Sequence, residues 1–343
     1  MSATANTRAA VGTGALRWWK PAVWIAVAVI AALIPFGTTS RYYLTILDQA
    51  MLFAIAVLGL YFLLGLTGQL SLAQAAFYGL GAYTAAILAT RYHLPLWVTA
   101  PAAILVATVF GVLLGIPSLK LSGHYLALTT IGFGIIIQLV FKNWRPVTGG
   151  ADGIAGIPPT RIFGVSFSHP GLFYYLIFVA LLLTGLLAWR ISRSRIGRAF
   201  RAIRENELSA ETSGVDSTVY KVIAFALSAA YGGLAGALYT HWALFIAPET
   251  FGFTTSVQML AMLVIGGSGS IAGTLIGAIL LALLPEALRF LHSAYIAVYG
   301  AAIMILMVFI PDGIWGGLLL LLRKLFGRGA KEVPTPLGEE VPA

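Results

Sequence analysis

Few residues of this chain can do chemistry, and the most suggestive of them are neutral. Within the run Gly65-Leu66-Thr67-Gly68-Gln69-Leu70-Ser71-Leu72-Ala73-Gln74, two amides and a hydroxyl interrupt an otherwise apolar stretch. Broken backbone inside a bilayer is tolerated only where protein buries it or where it lines a wet cavity. Gln69, Ser71 and Gln74 are therefore expected to line a substrate pathway, offering uncharged hydrogen bonds to a solute in transit. For the two glutamines, an interhelical hydrogen bond is the competing reading.

Charged chemistry is nearly absent from the apolar runs. Asp48 is the one clear acid, seven residues after Arg41 and so about 10 Å along a helix from it. A charge at the bilayer centre costs roughly 3 kcal/mol, which places Asp48 in the outer third, facing other helices. It is expected to be a hydrogen-bonded structural acid and not a coupling-ion site. The chain has no cysteine, hence no thiolate nucleophile, disulfide or cysteine metal site. It also has no Gly-x-x-x-x-Gly-Lys-[Ser/Thr] loop, so it offers no phosphate cradle of that kind. His93, His124, His169, His241 and His292 are scattered without metal-ligand spacing, and each reads as an interfacial or loop histidine. Enzymatic chemistry has no foothold here.

The elements that must position these residues follow from composition. Hydrophobic residues make up 59% of the chain and charged residues 10%, against about half and a quarter in soluble domains. Lipid is the solvent such a surface requires. Apolar runs suited to spanning helices fall at 21–36, 42–66, 70–90, 96–116, 125–141, 172–189, 222–245, 254–265, 271–284 and 295–310. The expected fold is an all-α integral membrane protein, a polytopic bundle of about ten transmembrane helices. Eight are plain spans. The short pair around Gly266-Gly267-Ser268-Gly269-Ser270 either crosses twice or re-enters.

The net charge of +9 sits mainly between the apolar runs, where it sets topology, and nucleic acid is not an expected partner. With a cytosolic N-terminus and strict alternation, fifteen of the 21 Lys and Arg residues lie inside and six outside, as the positive-inside rule demands. Both termini are expected in the cytosol. The domain reading is a cytosolic N-terminal segment 1–20, a membrane domain 21–322 with a cytosolic loop 190–221, and a disordered cytosolic tail 323–343. No signal-peptide cleavage site ends the first run.

Two connections stand out. The outer stretch Asn143–Ile154 is rich in glycine and reads as an ordered turn around Asp152; contact with an external partner is the alternative. The inner stretch Arg195–Ser213 (RIGRAFRAIRENELSAETS) is helix-forming, with Gly214 where a C-cap glycine belongs. Arg201/Glu205 and Glu207/Glu211 have i,i+4 spacing, and Phe200, Ile203 and Leu208 add limited apolar surface. Tethered at both ends by spans, it is either a solvated connector or a docking lever for a cytosolic motor.

Its end, Glu207-Leu-Ser-Ala-Glu211-Thr-Ser-Gly214, resembles the coupling segment of ABC importer permeases. The longer stretch Ser194–Tyr239 resembles LivM-type permeases of branched-chain amino acid importers. The likeness extends through Gly68–Phe77, Ser122–Phe133, Asn143–Pro158, Leu263–Ala278 and Tyr299–Trp315, most of the chain between 42 and 317. The resemblance implies a permease of about ten helices in the bacterial inner membrane, without a cofactor of its own. It implies a second, LivH-type permease, two cytosolic ATPase subunits that use the ATP, and a periplasmic solute-binding protein. It also implies ATPase-coupling roles for Arg201, Glu207, Glu211 and Gly214, and a branched-chain or related hydrophobic amino acid as solute. Urea and short-chain amide importers share much of the pattern, and an ion-coupled secondary transporter is the remaining alternative.

Overall fold

The computed structural model describes residues 41–119, 121, 123–162, 165–166 and 170–289, with isolated positions 35, 298, 300, 301, 304 and 313–317. The runs expected at 21–36 and 295–310, the segments 1–20 and 323–343, and His169 and His292 lie outside the described residues.

At the centre is helix α1, Arg41–Leu60, continued by a π-helical stretch Tyr61–Leu66. Together these 26 residues reach about 39 Å, enough to cross a bilayer. A helix apolar on every side belongs in the interior of a bundle. Accordingly, every residue from Ala50 to Leu60 except Phe53 is buried. Around it pack α2 (Gln74–Arg91), α3 (Leu96–Ser118), α4 (His124–Asn143), the short α5 (Arg145–Thr148), α6 (Pro170–Arg193), α7 (Arg195–Glu205), α8 (Glu207–Thr212), α9 (Ser217–Ala243), α10 (Phe253–Gly266) and α11 (Ile271–Ala287). The α1 unit, α3, α4, α6 and α9 are each long and apolar enough to span a membrane. Helices α3, α4 and α6 turn Leu105, Leu128 and Leu183 outward, more than 60% exposed. Such outward leucines are what lipid solvation favours. Two strand pairs of two residues each, β1 (Ile154–Ala155) with β4 (Phe245–Ile246) and β2 (Arg161–Ile162) with β3 (Val165–Ser166), are the departures from an all-α fold.

Small residues let α9 lie against its neighbours backbone to backbone. A Cβ on Gly81 of α2 would sit 2.2 Å from the Gly233 carbonyl oxygen, and one on Gly236 would sit 2.0 Å from that of Tyr78. Gly79 faces the Phe141 and Phe251 rings at similarly short range.

Two helices are shorter than their apolar runs. Helix α2 begins at Gln74 and not at residue 70, because Gly68 to Ala73 is non-helical. Gln74 bonds the Ala56 carbonyl, ten residues back along α1, or about 15 Å from the Leu66 end. The chain thus leaves α1 at one face, re-enters extended to mid-depth, and only there resumes as helix. Helix α10 mirrors this. Its first turn meets α2 at mid-depth through Ser256 and Ala75. Its last residues reach the turn whose Ser268 carbonyl abuts Gly65. Helix α11 then runs the full depth beside α1, where Glu286 accepts a hydrogen bond from Tyr42. The pair α10 and α11 does not return to the side it came from. The strand-and-turn segment Phe245–Phe251 supplies the depth that 14-residue α10 lacks.

Candidate functional site

The N-termini of α2 and α10 meet near the middle of the bundle, and neutral side chains finish both. The Leu72 N–H donates to Thr130 Oγ1 of α4 at 3.0 Å, and the Ala75 N–H donates to Ser256 Oγ at 3.0 Å. Ser71, 1% exposed, accepts from the Ala73 N–H at 3.3 Å. Beside them a narrow crevice runs between Leu72 and Ala76 on one side and Ile131 and Gly134 on another, floored by Phe251 and Ser256. Ile135, Phe253 and Val257 on its flank are exposed. The crevice therefore opens sideways, on the outer face of α4 and α10.

Gln74 is 1% exposed, and its amide ties three helices together. Its Nε2 donates to the Ala56 carbonyl at 2.7 Å and to that of Ser228 at 3.3 Å, while Oε1 accepts from the Ser228 hydroxyl at 2.7 Å. Buried amides of this kind must be satisfied, and this one is. Gln69 differs. Its backbone N–H caps the Leu63 carbonyl at 2.9 Å, but its Oε1 is buried with no hydrogen-bond partner. Of the three expected pathway residues, the structure makes Gln74 an interhelical crosslink in this conformation. It sets Ser71 beside the crevice residue Leu72 and leaves Gln69 with an unused acceptor. Thr130, Ser228 and Ser256, which complete the arrangement, carry no sequence signal beyond being lone hydroxyls in apolar runs.

Asp48 is 2% exposed and accepts from Trp242 Nε1 at 3.1 Å, the structural acid the sequence suggests. The neighbouring His241 pairs with Thr99 Oγ1 at 2.9 Å. In the outer stretch, Lys142 and Glu249 form an ion pair at 3.1 Å. A hydrogen bond from its own backbone amide, helped by Lys142, holds Glu249 below the usual carboxylate range. Gly149, Gly150 and Gly153 all take positive φ, and β1 pairs with β4. The loop is an ordered turn.

The segment expected as one helix over Arg195–Ser213 is two. Asn206, at φ −160° and ψ 113°, ends α7 and caps α8, its side chain accepting from the Ser209 N–H. An Asn followed by an acidic first turn is a helix start, and that local signal outweighs the helix propensity around it. Phe200 and Ile203 are buried, whereas Leu208 is 71% exposed. Arg201 does not pair with Glu205; its Nη1 donates to the Ser192 carbonyl at 2.9 Å. Glu207 is paired with the buried Lys221, and Glu211 accepts from Ser217. Gly214 has φ 86°, its N–H reaching the Glu211 carbonyl at 2.9 Å while the Val215 N–H reaches that of Ala210 at 3.0 Å. That is a Schellman cap, and it needs the left-handed residue glycine provides.

Comparison with known proteins fits this arrangement. A family described as branched-chain amino acid transport system / permease component matches residues 42–311. The high-affinity branched-chain amino acid transport system permease protein LivM of Salmonella typhimurium is 36% identical over 313 residues, 84% of this chain and 73% of the relative. LivM of Escherichia coli K12 is also 36% identical over the same length. The ribose import permease protein RbsC of Haemophilus influenzae is 28% identical over 312 residues, 86% of this chain and 92% of the relative. No solved structure matches the chain.

Proposed function

Because this chain belongs to the family of branched-chain amino acid transport permease components, a multi-pass membrane transporter subunit and not an enzyme, we propose that it forms one half of an ATP-driven importer for a hydrophobic amino acid. One observation carries the site assignment: two half-length helices begin at mid-depth beside a crevice finished by neutral hydroxyls. Discontinuous helices meeting near the bilayer midplane are how transporters expose backbone and side-chain hydrogen bonds to a solute without exposing them to lipid. Ser71, Gln69 and Gln74 line or brace that route. The branched-chain class rests on LivM, at 36% identity against 28% for the ribose permease. The same match favours this class over urea or short-chain amides and over ion coupling.

A pathway that opens on the flank of α4 and α10 needs a second wall. A second permease of LivH type supplies it in this reading, giving about ten helices on each side. Work enters through α7 and α8, which receive two cytosolic ATPase subunits, while a periplasmic binding protein delivers the solute at the opposite face. The side chain offered to an ATPase is Leu208, exposed at the tip of α8; Glu207, Glu211 and Gly214 hold that tip on α9. Replacing Leu208 by Asp should lower ATPase retention on purification and reduce ATP-driven leucine uptake into proteoliposomes about tenfold, the loss expected for one apolar anchor. Uptake of ribose with no leucine uptake in the parental complex would move the substrate class, and leucine uptake without ATP would remove the importer reading.

Orientation follows from Arg190, Arg193, Arg195, Arg198 and Arg204, all on the face where α1 ends. That face is cytosolic in this reading, with the membrane that of a bacterial cell. A reporter active only in the cytosol should be active when fused at Ala343 and silent when inserted in the Gly149–Gly153 turn. The reverse pattern inverts the whole map.

A further inference from the structure

One contact joins the cytosolic segment to the broken membrane segment. The guanidinium of Arg204, in the last turn of α7, donates to the Gly65 carbonyl at the end of α1. Helix ends leave their last carbonyls without intrahelical donors. Here the Leu63 carbonyl is capped locally, by Thr67 Oγ1 at 2.6 Å and the Gln69 N–H at 2.9 Å. The Gly65 carbonyl takes its donor from a residue 139 positions away. The stem of Arg204 also packs on the re-entrant chain, because a Cβ placed on Gly68 would lie 3.2 Å from Arg204 Cγ. On its other flank Gly65 touches the turn between α10 and α11, with the Ser268 carbonyl 2.5 Å from where its Cβ would be.

Three elements thus converge on Gly65: the cytosolic helix, the root of the extended segment, and the turn that ends α10. The two structures that build the mid-depth crevice, the 68–73 segment and α10, both start or finish at this junction. Building on the proposed function, we propose that Arg204 is the positioning residue that transmits movement of α7 and α8 to the extended segment and so to Ser71. A charge-assisted hydrogen bond from a planar guanidinium is both strong and directional, so a shift of α7 must drag or release the Gly65 end. Arg201, four residues earlier, bonds its own helix-turn neighbour Ser192 and only braces α7 against α6.

The test uses the full complex with ATPases, and the cysteine-free background of this chain. A Ser71→Cys reporter should react with a small water-soluble thiol reagent at different rates in the nucleotide-free and ATP-trapped complexes. With Arg204→Met, which keeps the stem but not the donor, that difference should vanish. Transport per ATP should then fall about tenfold, the factor for one hydrogen bond to a charged group. Arg204→Lys, a point charge without the fork, should fall between. Should the Met variant fail to assemble, the Lys variant carries the same comparison. A parental rate difference in either variant, in a complex that still imports leucine, overturns the role of Arg204 and leaves the permease reading standing. Absence of ATP-driven uptake in the parental complex overturns both.

Discussion

Substituting Val for Gly236 should abolish correctly folded protein. The Cβ alone would sit 2.0 Å from the Tyr78 carbonyl oxygen and 2.6 Å from the Ala82 nitrogen. Both are backbone atoms of α2, so no side chain can swing aside. The opposite flank is occupied too, since neighbouring Gly233 meets the Ala103 carbonyl of α3 at 2.8 Å from its own Cβ position. Accommodation requires α9 to move away from α2 and α3 over their whole shared length. Overpacking of this kind costs about 3 kcal/mol or more. Monodisperse detergent-solubilised protein should be lost in size-exclusion chromatography, with any remnant melting far below the parent. Gly185→Ala on α6, where a Cβ meets nothing within 4 Å, is the control and should raise stability slightly by helix propensity. A Gly236→Val protein that elutes and melts like the parent would mean that α2 and α9 are not in backbone contact.

Gln74→Leu should be nearly as damaging for a different reason. Volume changes little, but three hydrogen bonds vanish and the Ser228 hydroxyl loses its acceptor, Gln74 Oε1. Each unsatisfied buried group costs about 1–3 kcal/mol, tempered inside membranes to an average of roughly 0.6 kcal/mol per interhelical bond. A total near 2 kcal/mol is expected, read as a fall in melting temperature and as lost uptake, because Gln74 anchors the start of α2 at mid-depth. The decisive measurement is the double-mutant cycle with Ser228→Ala. Once Gln74 is gone, removing Ser228 Oγ should cost little, giving a coupling energy above about 0.5 kcal/mol. Additive losses would show that the two residues act separately.

How much of this was readable beforehand differs from element to element. Apolar runs of spanning length identified α1, α3, α4, α6 and α9 because lipid solvation is a local demand, imposed on each segment separately. Gly68-Gln69 announced broken backbone, and Gly214 its left-handed cap, because glycine's conformational freedom is a property of one residue. Asn206 also carried a local signal, a helix-capping amide before an acidic residue, yet the surrounding helix formers masked it.

Other features belong to the assembled bundle. Whether Gln74 faces a pathway or crosslinks helices depends on Ser228, 154 positions away, and nothing local distinguishes the two outcomes. The choice of Arg204 over Arg201 as the link to the membrane depends on which side of α7 meets α1, since both lie on the same short basic helix. That α10 completes its crossing with non-helical chain follows only from where its first turn lands beside Ala75. Sequence alone therefore determined which segments enter the membrane and where backbone breaks, since solvation and φ preferences act residue by residue. Tertiary structure decided which polar groups find one another, because satisfying a buried donor or acceptor takes a partner that only packing brings within 3 Å or so.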